Sequence, residues 1–276
     1  MKKATLIVHL GQIAFVILGL AGLALAAVPT VDPGFQGTVD QAVGSYAKGT
    51  LIHDSTLALQ GEGFVKLFVP RSRWYATSDL VGVIGYIASE MTTRFPNHER
   101  LQIGDVSQHG GGPISGHASH MIGLDADFAY FNVSQREQDP QDVSGFKTSY
   151  VQNGKITKDF DIARNFTAMR VLVGTGRVNR IFVNEVVKKA ICDYSKTLGP
   201  DPTPVDPKLA SIPVTLRRLR PWEGHDDHMH LRLTCPKASP RCVPQEEPPV
   251  GDGCADVLNQ NVDWDQLSII ELHSKE

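Results

Sequence analysis

Apolar residues recur three or four apart at Leu80, Val83, Ile84, Ile87 and Met91, which predicts an amphipathic helix opening at the N-cap candidate Ser78. A second helix is predicted over 161–173, where Ile162, Phe166, Met169 and Val173 share a face and Gly174 supplies a stop. A third follows Asn184, from Glu185 to about Ser195. Strands are predicted over 101–107, 124–131, 178–183 and 228–235. In the last, His228-Met229-His230-Leu231-Arg232-Leu233 alternates polar and apolar, as a half-buried strand does. The order helix, strand, strand, helix, strand, helix, strand is neither a βαβ repeat nor all-β. It predicts an α+β fold with a small, mainly antiparallel sheet flanked by helices. Residues 27–60 are mixed in pattern and are expected to wrap the surface. From Pro236 onward, five prolines up to Pro249, with several glycines, predict an irregular tail rather than a second domain.

The N-terminus changes this picture. Lys2 and Lys3 precede an uncharged run from Ile13 to Ala26 that ends Ala24-Leu25-Ala26, the layout of a cleaved secretory signal over residues 1–26. A membrane anchor is the alternative, but the run's 14 residues are short of the ~20 that span a bilayer. Cleavage after Ala26 would leave 250 of the 276 residues and, by removing Lys2 and Lys3, move the net charge from −3 to −5. No membrane anchor is then expected, and a balance without basic excess argues against a nucleic-acid partner. In an oxidising compartment the four cysteines, Cys192, Cys235, Cys242 and Cys254, suggest two disulfides, with three connectivities open. The closest two are seven apart, which argues against a zinc knuckle.

Candidate chemistry sits in two windows that hold five of the ten histidines. One runs from Ser115 to Asp127 and contains His117, His120, Asp125 and Asp127; the other is His225-Asp226-Asp227-His228-Met229-His230. Imidazole and carboxylate ligands suit zinc, and a catalytic zinc takes three protein ligands plus water. His228 and His230, two apart on a strand, leave the same face, as do Asp125 and Asp127. A loop turning at Gly123 into a strand can bring His120 to Asp127, so three ligands from two neighbouring strands are feasible. Asp125 then either orients a ligand or is a solvated strand residue, while Asp226 and Asp227 read as loop carboxylates. The run His109-Gly110-Gly111-Gly112-Pro113 reads as a mobile loop, not a phosphate loop. Ser115 and Ser119 flank histidines without a Gly-x-Ser-x-Gly elbow, so a serine nucleophile is poorly supported.

The run His120-x-x-Gly-x-x-x-Asp127 with a later His228-x-His230 resembles the lysostaphin and D-alanyl-D-alanine metallopeptidase superfamily. The strings Gly-His-Ala-Ser-His-x-x-Gly-Leu-Asp-x-Asp, Arg-Ile-Phe-Val-Asn and Arg-Pro-Trp through His-Met-His-x-Arg-Leu are similar to its branch of penicillin-insensitive murein endopeptidases, from about Gly44 to Ala255. The resemblance implies a metallopeptidase domain over 27–235, followed by a disulfide-tethered tail over 236–276. It implies one catalytic zinc held by His120, Asp127 and His230 on the sheet, with His117 a possible further ligand. His228 would be the base or electrostatic stabiliser, and His225 would line the site beside it. The implied activity is periplasmic hydrolysis of D-alanyl to diaminopimelyl cross-links in peptidoglycan, indifferent to penicillin. A D,D-carboxypeptidase or dipeptidase acting on free D-alanyl ends, and a non-catalytic zinc- or wall-binding protein, are the alternatives. The resemblance also pairs Cys192 with Cys254 and Cys235 with Cys242. It departs at Asn153-Gly154-Lys155-Ile156, where the branch carries an Asp and a His for a second metal at a subunit contact; a zinc-bridged dimer is therefore not expected.

Overall fold

The computed structural model describes residues 39–201 and 203–258. Residues 1–26, expected to be a signal, and the last part of the tail lie outside the described residues. A seven-stranded sheet organises the chain, in the spatial order Leu219–Pro221, Val178–Val183, His228–Leu233, Asp125–Ala129, Leu101–Ile103, Phe64–Lys66, Gln60–Gly61. Four of its six pairings are antiparallel and two parallel, an α+β arrangement. The four strands expected from the pattern lie side by side at its centre. Three short ones extend its edges.

The helices fall close to their predicted ranges, at Ser78–Arg94, Ile162–Gly174 and Glu185–Thr197. The first cap differs by one residue: Thr77, not Ser78, is in extended conformation, and its hydroxyl accepts from the Leu80 amide. Gly174 is the last helical residue rather than the stop, and the chain turns at Gly176 with φ 68°. A further helix, Ile212–Arg218, is too short at seven residues to give a clear 3.6-residue period. The apolar face of each long helix joins one core with Ala126, Phe128, Ile181, Met229, Leu231 and Leu233 from one face of the sheet.

That leaves the other face for polar residues. The His228–Leu233 strand pairs antiparallel with Asp125–Ala129, placing His230 opposite Asp127, Arg232 opposite Asp125 and Met229 opposite Phe128. Because side chains alternate, this register sends Met229, Leu231, Ala126 and Phe128 into the core and gathers His228, His230, Arg232, Asp125 and Asp127 on the opposite face.

The expectation that residues 27–60 wrap the surface is corrected over the described part. Gln41–Ser45 and Lys48–Ile52 form a hairpin whose Ala42, Tyr46 and Leu51 are buried. The Tyr46 hydroxyl donates to the Leu233 carbonyl (2.6 Å), so the hairpin covers the end of the histidine strand. The Pro-rich segment is irregular and tied to that hairpin through Gly44 and the residues around Cys242. The disulfides are Cys192–Cys254 and Cys235–Cys242, the pairing that the resemblance implied.

Candidate metal centre

Asp127 lies at the middle of the polar face, 2% exposed. Its Oδ1 is approached by three imidazole nitrogens: His120 Nε2 at 3.2 Å, His230 Nδ1 at 3.5 Å and His228 Nε2 at 3.6 Å. His117 Nδ1 lies 3.8 Å from the other oxygen, Oδ2. His117, His120 and Asp127 each offer a ligand atom, and these atoms lie within 4.8 Å of one another.

His120 shows why this cluster fits a cation. Its backbone is left-handed, φ 67°, an unfavourable region for a residue with a Cβ. Three bonds hold it there: its amide donates to Asp125 Oδ2 (3.0 Å), its carbonyl accepts from Ser107 Oγ (2.6 Å), and its ring Nδ1 donates to the Val106 carbonyl (2.6 Å). With Nδ1 carrying the hydrogen, neutral His120 directs a bare Nε2 lone pair at Asp127 Oδ1. Both atoms are buried and without a hydrogen bond. Two acceptors facing each other in a dry site need a proton or a metal ion between them. Gly123, φ 68°, makes the turn from His120 into the strand; a Cβ there would meet Leu51 Cδ2 at 2.7 Å.

Electrostatics separate the histidines. Burial pushes His230 down to about 3 and, with the neighbouring His228, takes His225 down to about 4, so both are neutral at physiological pH. Burial acts most strongly on His120 and His228 and lowers both, but the charge of Asp127, together with Asp125 and the Val106 carbonyl at His120 and together with Asp227 at His228, more than offsets it and raises both. Burial opposes ionisation of Asp127, yet the surrounding imidazoles hold its carboxyl well below the usual carboxylate range.

Further groups orient these rings. Asp125 is fully buried and resolves its two readings in favour of orientation: it accepts from Arg232 Nε (2.8 Å) and Nη2 (3.2 Å), and lies 3.2 Å from His230 Nε2. Asp227 is not merely a loop carboxylate, because its Oδ1 is bonded to His228 Nδ1. Phe146 stacks on His228, ring centroids 4.8 Å apart. Asp105, 1% exposed, binds Arg71, Arg73 and His117 Nε2, and so turns His117 Nδ1 toward Asp127. Sequence reasoning missed Asp105 and Phe146: the strand expected over 101–107 stops at Ile103, leaving Asp105 in a loop, and Phe146 comes from a loop carrying no motif. Asp227 had a signal, its place directly before His228, but not a direction.

The remaining described histidines lie apart. His53 and His98 are exposed, and His109 pairs with Asp54 at the surface. The His109–Pro113 loop is tied down rather than mobile, with Leu51 N donating to the Gly110 carbonyl and Gly112 N to the Met121 carbonyl. At Asn153 and Gly154 the chain makes a hairpin turn with φ 51° and 69°, between Val151–Gln152 and Lys155–Ile156.

Comparison with known proteins gives a consistent result. A family model described as penicillin-insensitive murein endopeptidase matches residues 42–274. A protein of that name from Haemophilus influenzae is 30% identical over 219 residues, covering 78% of this chain and 71% of the relative. One from Pectobacterium atrosepticum is 31% identical over 217 residues, covering 78% and 72%. One from Escherichia coli O157:H7 is 30% identical over 247 residues, covering 88% and 84%.

Proposed function

The chain belongs to the family of penicillin-insensitive murein endopeptidases, and from that premise we propose that it is a zinc-dependent endopeptidase cutting D-alanyl to diaminopimelyl cross-links of peptidoglycan in the periplasm. The observation that carries the reading is the convergence of imidazole nitrogens on Asp127 Oδ1, with His120 Nε2 and Asp127 Oδ1 both buried and unpartnered. His120, Asp127 and His230 would hold the metal, His230 through the Nδ1 that faces Asp127. His117, whose Nδ1 faces the other Asp127 oxygen, is a further donor. Zinc bound there would supply Lewis acidity to a peptide carbonyl and make water more acidic.

The remaining steps fall to the chain's own groups. Asp227 accepts a hydrogen bond from His228 Nδ1 and leaves Nε2 pointing into the site, where it can accept a proton from water and return it to the departing amine. Phe146 and Asp227 together fix the plane of that ring. His225, neutral and bonded through Nδ1 to the Glu223 carbonyl, lines the wall beside His228, ring centroids 4.8 Å apart. No serine performs this chemistry, so penicillin has nothing to acylate. Among the described residues no helix is long and apolar enough to cross a membrane. Asn153 and Ile156 offer no charged or imidazole donor, so a second, dimer-bridging zinc is not part of the proposal.

The test is digestion of purified sacculi with and without a chelator, followed by identification of the muropeptides. Conversion of cross-linked dimers to monomers, lost with chelator and restored by zinc, is the expected result. Release of free D-alanine alone would make the protein a carboxypeptidase, and no release would leave a wall-binding role.

A further inference from the structure

A groove of about 380 Å³ opens beside His228. Its volume lies within the ~300–1,000 Å³ of typical small-molecule sites. Phe146, stacked on His228, and Asp227, bonded to it, both form its wall. A Cβ on Gly104 would strike Phe146 Cζ at 2.5 Å and Asp127 Cβ at 3.1 Å, so Phe146 bridges groove and metal centre. The groove therefore begins where His228 would hand a proton to a departing amine, and the residue that owns this amine is the one it can hold.

The charges in its wall are mostly answered from within the protein. Glu137 is paired with Arg100, Lys147 with Asp142, and Asp227 with His228. Arg136 has no ion pair among the described residues, although it lines the groove. Its main chain is fixed: the amide donates to Asn132 Oδ1 (3.0 Å), and the carbonyl accepts from Asn132 Nδ2 (3.1 Å) and Gln102 Nε2 (3.2 Å). Asp139, which accepts from the Gln141 amide, and Asp159 also line the groove without an ion pair among the described residues and would repel an anion placed beside them. A carboxylate entering this groove thus has one favourable place.

We propose that the groove holds the amino acid on the departing side of the scissile bond, and that Arg136 binds the free carboxylate next to the scissile nitrogen. This rests on the endopeptidase reading and deepens it. In a diaminopimelyl cross-link the carbon bearing the scissile nitrogen also bears a free carboxylate, which a planar guanidinium can bind through two parallel bonds. Masking that carboxylate as an amide removes both its charge and its fit to the fork.

The experiment uses two cross-linked muropeptide dimers that differ only in a free or amidated diaminopimelyl carboxylate. The zinc-loaded protein is expected to cut the free form with a kcat/KM about 10–100-fold higher, the worth of one charge-assisted bidentate contact. Arg136→Gln should lose that factor on the free dimer and become indifferent between the two, while Arg136→Lys recovers part of the preference. Zinc content and unfolding midpoint should not move. Equal cutting of both dimers by the unaltered protein, or an undiminished preference in Arg136→Gln, overturns the assignment of Arg136. Cutting of neither dimer by the unaltered protein overturns the endopeptidase reading itself, and this inference with it.

Discussion

Replacing Asp125 by Asn removes one negative charge from a fully buried position while keeping the side chain's size. In the native protein that carboxylate takes two bonds from Arg232, itself 7% exposed, and one from the His120 amide, and lies 3.2 Å from His230 Nε2. Arg232 would keep the Gln245 side chain and its place over the Tyr46 ring, neither of which neutralises it. Breaking a buried pair by removing one partner costs ~3–5 kcal/mol. Asn retains one acceptor, so a loss of about 3 kcal/mol is expected, a large share of the ~5–15 kcal/mol that holds a domain together. The same change loosens both His120 and His230, and removal of an orienting partner weakens metal binding ~10–100-fold. Urea unfolding of the metal-free protein reads the first effect, and zinc competition against a chromophoric chelator reads the second. The double variant Asp125→Asn with Arg232→Met should recover much of the stability but not the zinc affinity, because it removes the orphaned charge without restoring ring orientation. An Asp125→Asn protein within about 0.5 kcal/mol of the native one, and binding zinc as tightly, would refute this account of the site, since changes that small are ordinary for surface positions.

Two further outcomes follow from the same geometry. His228→Ala should retain zinc, measured by metal analysis, while turnover on sacculi falls ~10²–10⁴-fold, the usual worth of acid–base catalysis; loss of the metal would mean that base and ligand have been exchanged. Lys66 is fully buried, donates to the Leu67 carbonyl, and is pushed by burial down to about 8. Its folded value lies below its unfolded one, so the cost of charging it is full below pH 8 and is relieved as pH rises toward 10.5, making wild-type stability climb in that window. Lys66→Met should add about 3 kcal/mol at pH 7 and abolish the climb, both read from denaturant midpoints across pH.

The alternation in 228–233 already placed His228, His230 and Arg232 on one face of their strand, and the spacing of Asp125 and Asp127 placed those two on one face of theirs. What alternation cannot give is the register. Slipping one strand by a single residue would set a core side chain opposite Asp127, and only the assembled sheet decides that His230 takes that place. His120 needed less tertiary information, because Gly123 marks the turn that folds it back. The loop groups were not legible at all. Phe146 reaches His228 across a long sequence separation, from a stretch whose composition is that of any surface loop. Asp105 falls in the stretch expected as strand 101–107, of which only Leu101–Ile103 is strand, so its turn toward His117 had no signal. The hairpin at 41–52 was hidden for a related reason: its strands are five residues each and only half-buried, too short and too mixed for a two-residue period to stand out.

Three buried carboxylates surround the histidines, and their partners divide the labour among them. Asp125 is matched by Arg232, and Asp105 by Arg71 and Arg73. Asp127, between them, has no Arg or Lys within ion-pair distance among the described residues; imidazoles are its nearest charged or chargeable neighbours, and Lys66 acts on it only from farther away. In the proposed centre its charge is therefore the one that a metal ion would neutralise. Asp127→Asn should contrast with Asp125→Asn in both readouts. It orphans no guanidinium, so the metal-free protein should lose distinctly less stability than Asp125→Asn does. Yet an amide carries no charge and is a poor zinc donor, so high-affinity zinc binding should disappear rather than weaken. Calorimetric titration of zinc into each folded, metal-free variant separates the two cases. A near-native affinity in Asp127→Asn, or a stability loss as large as that of Asp125→Asn, would show that the unmatched carboxylate is not the metal ligand.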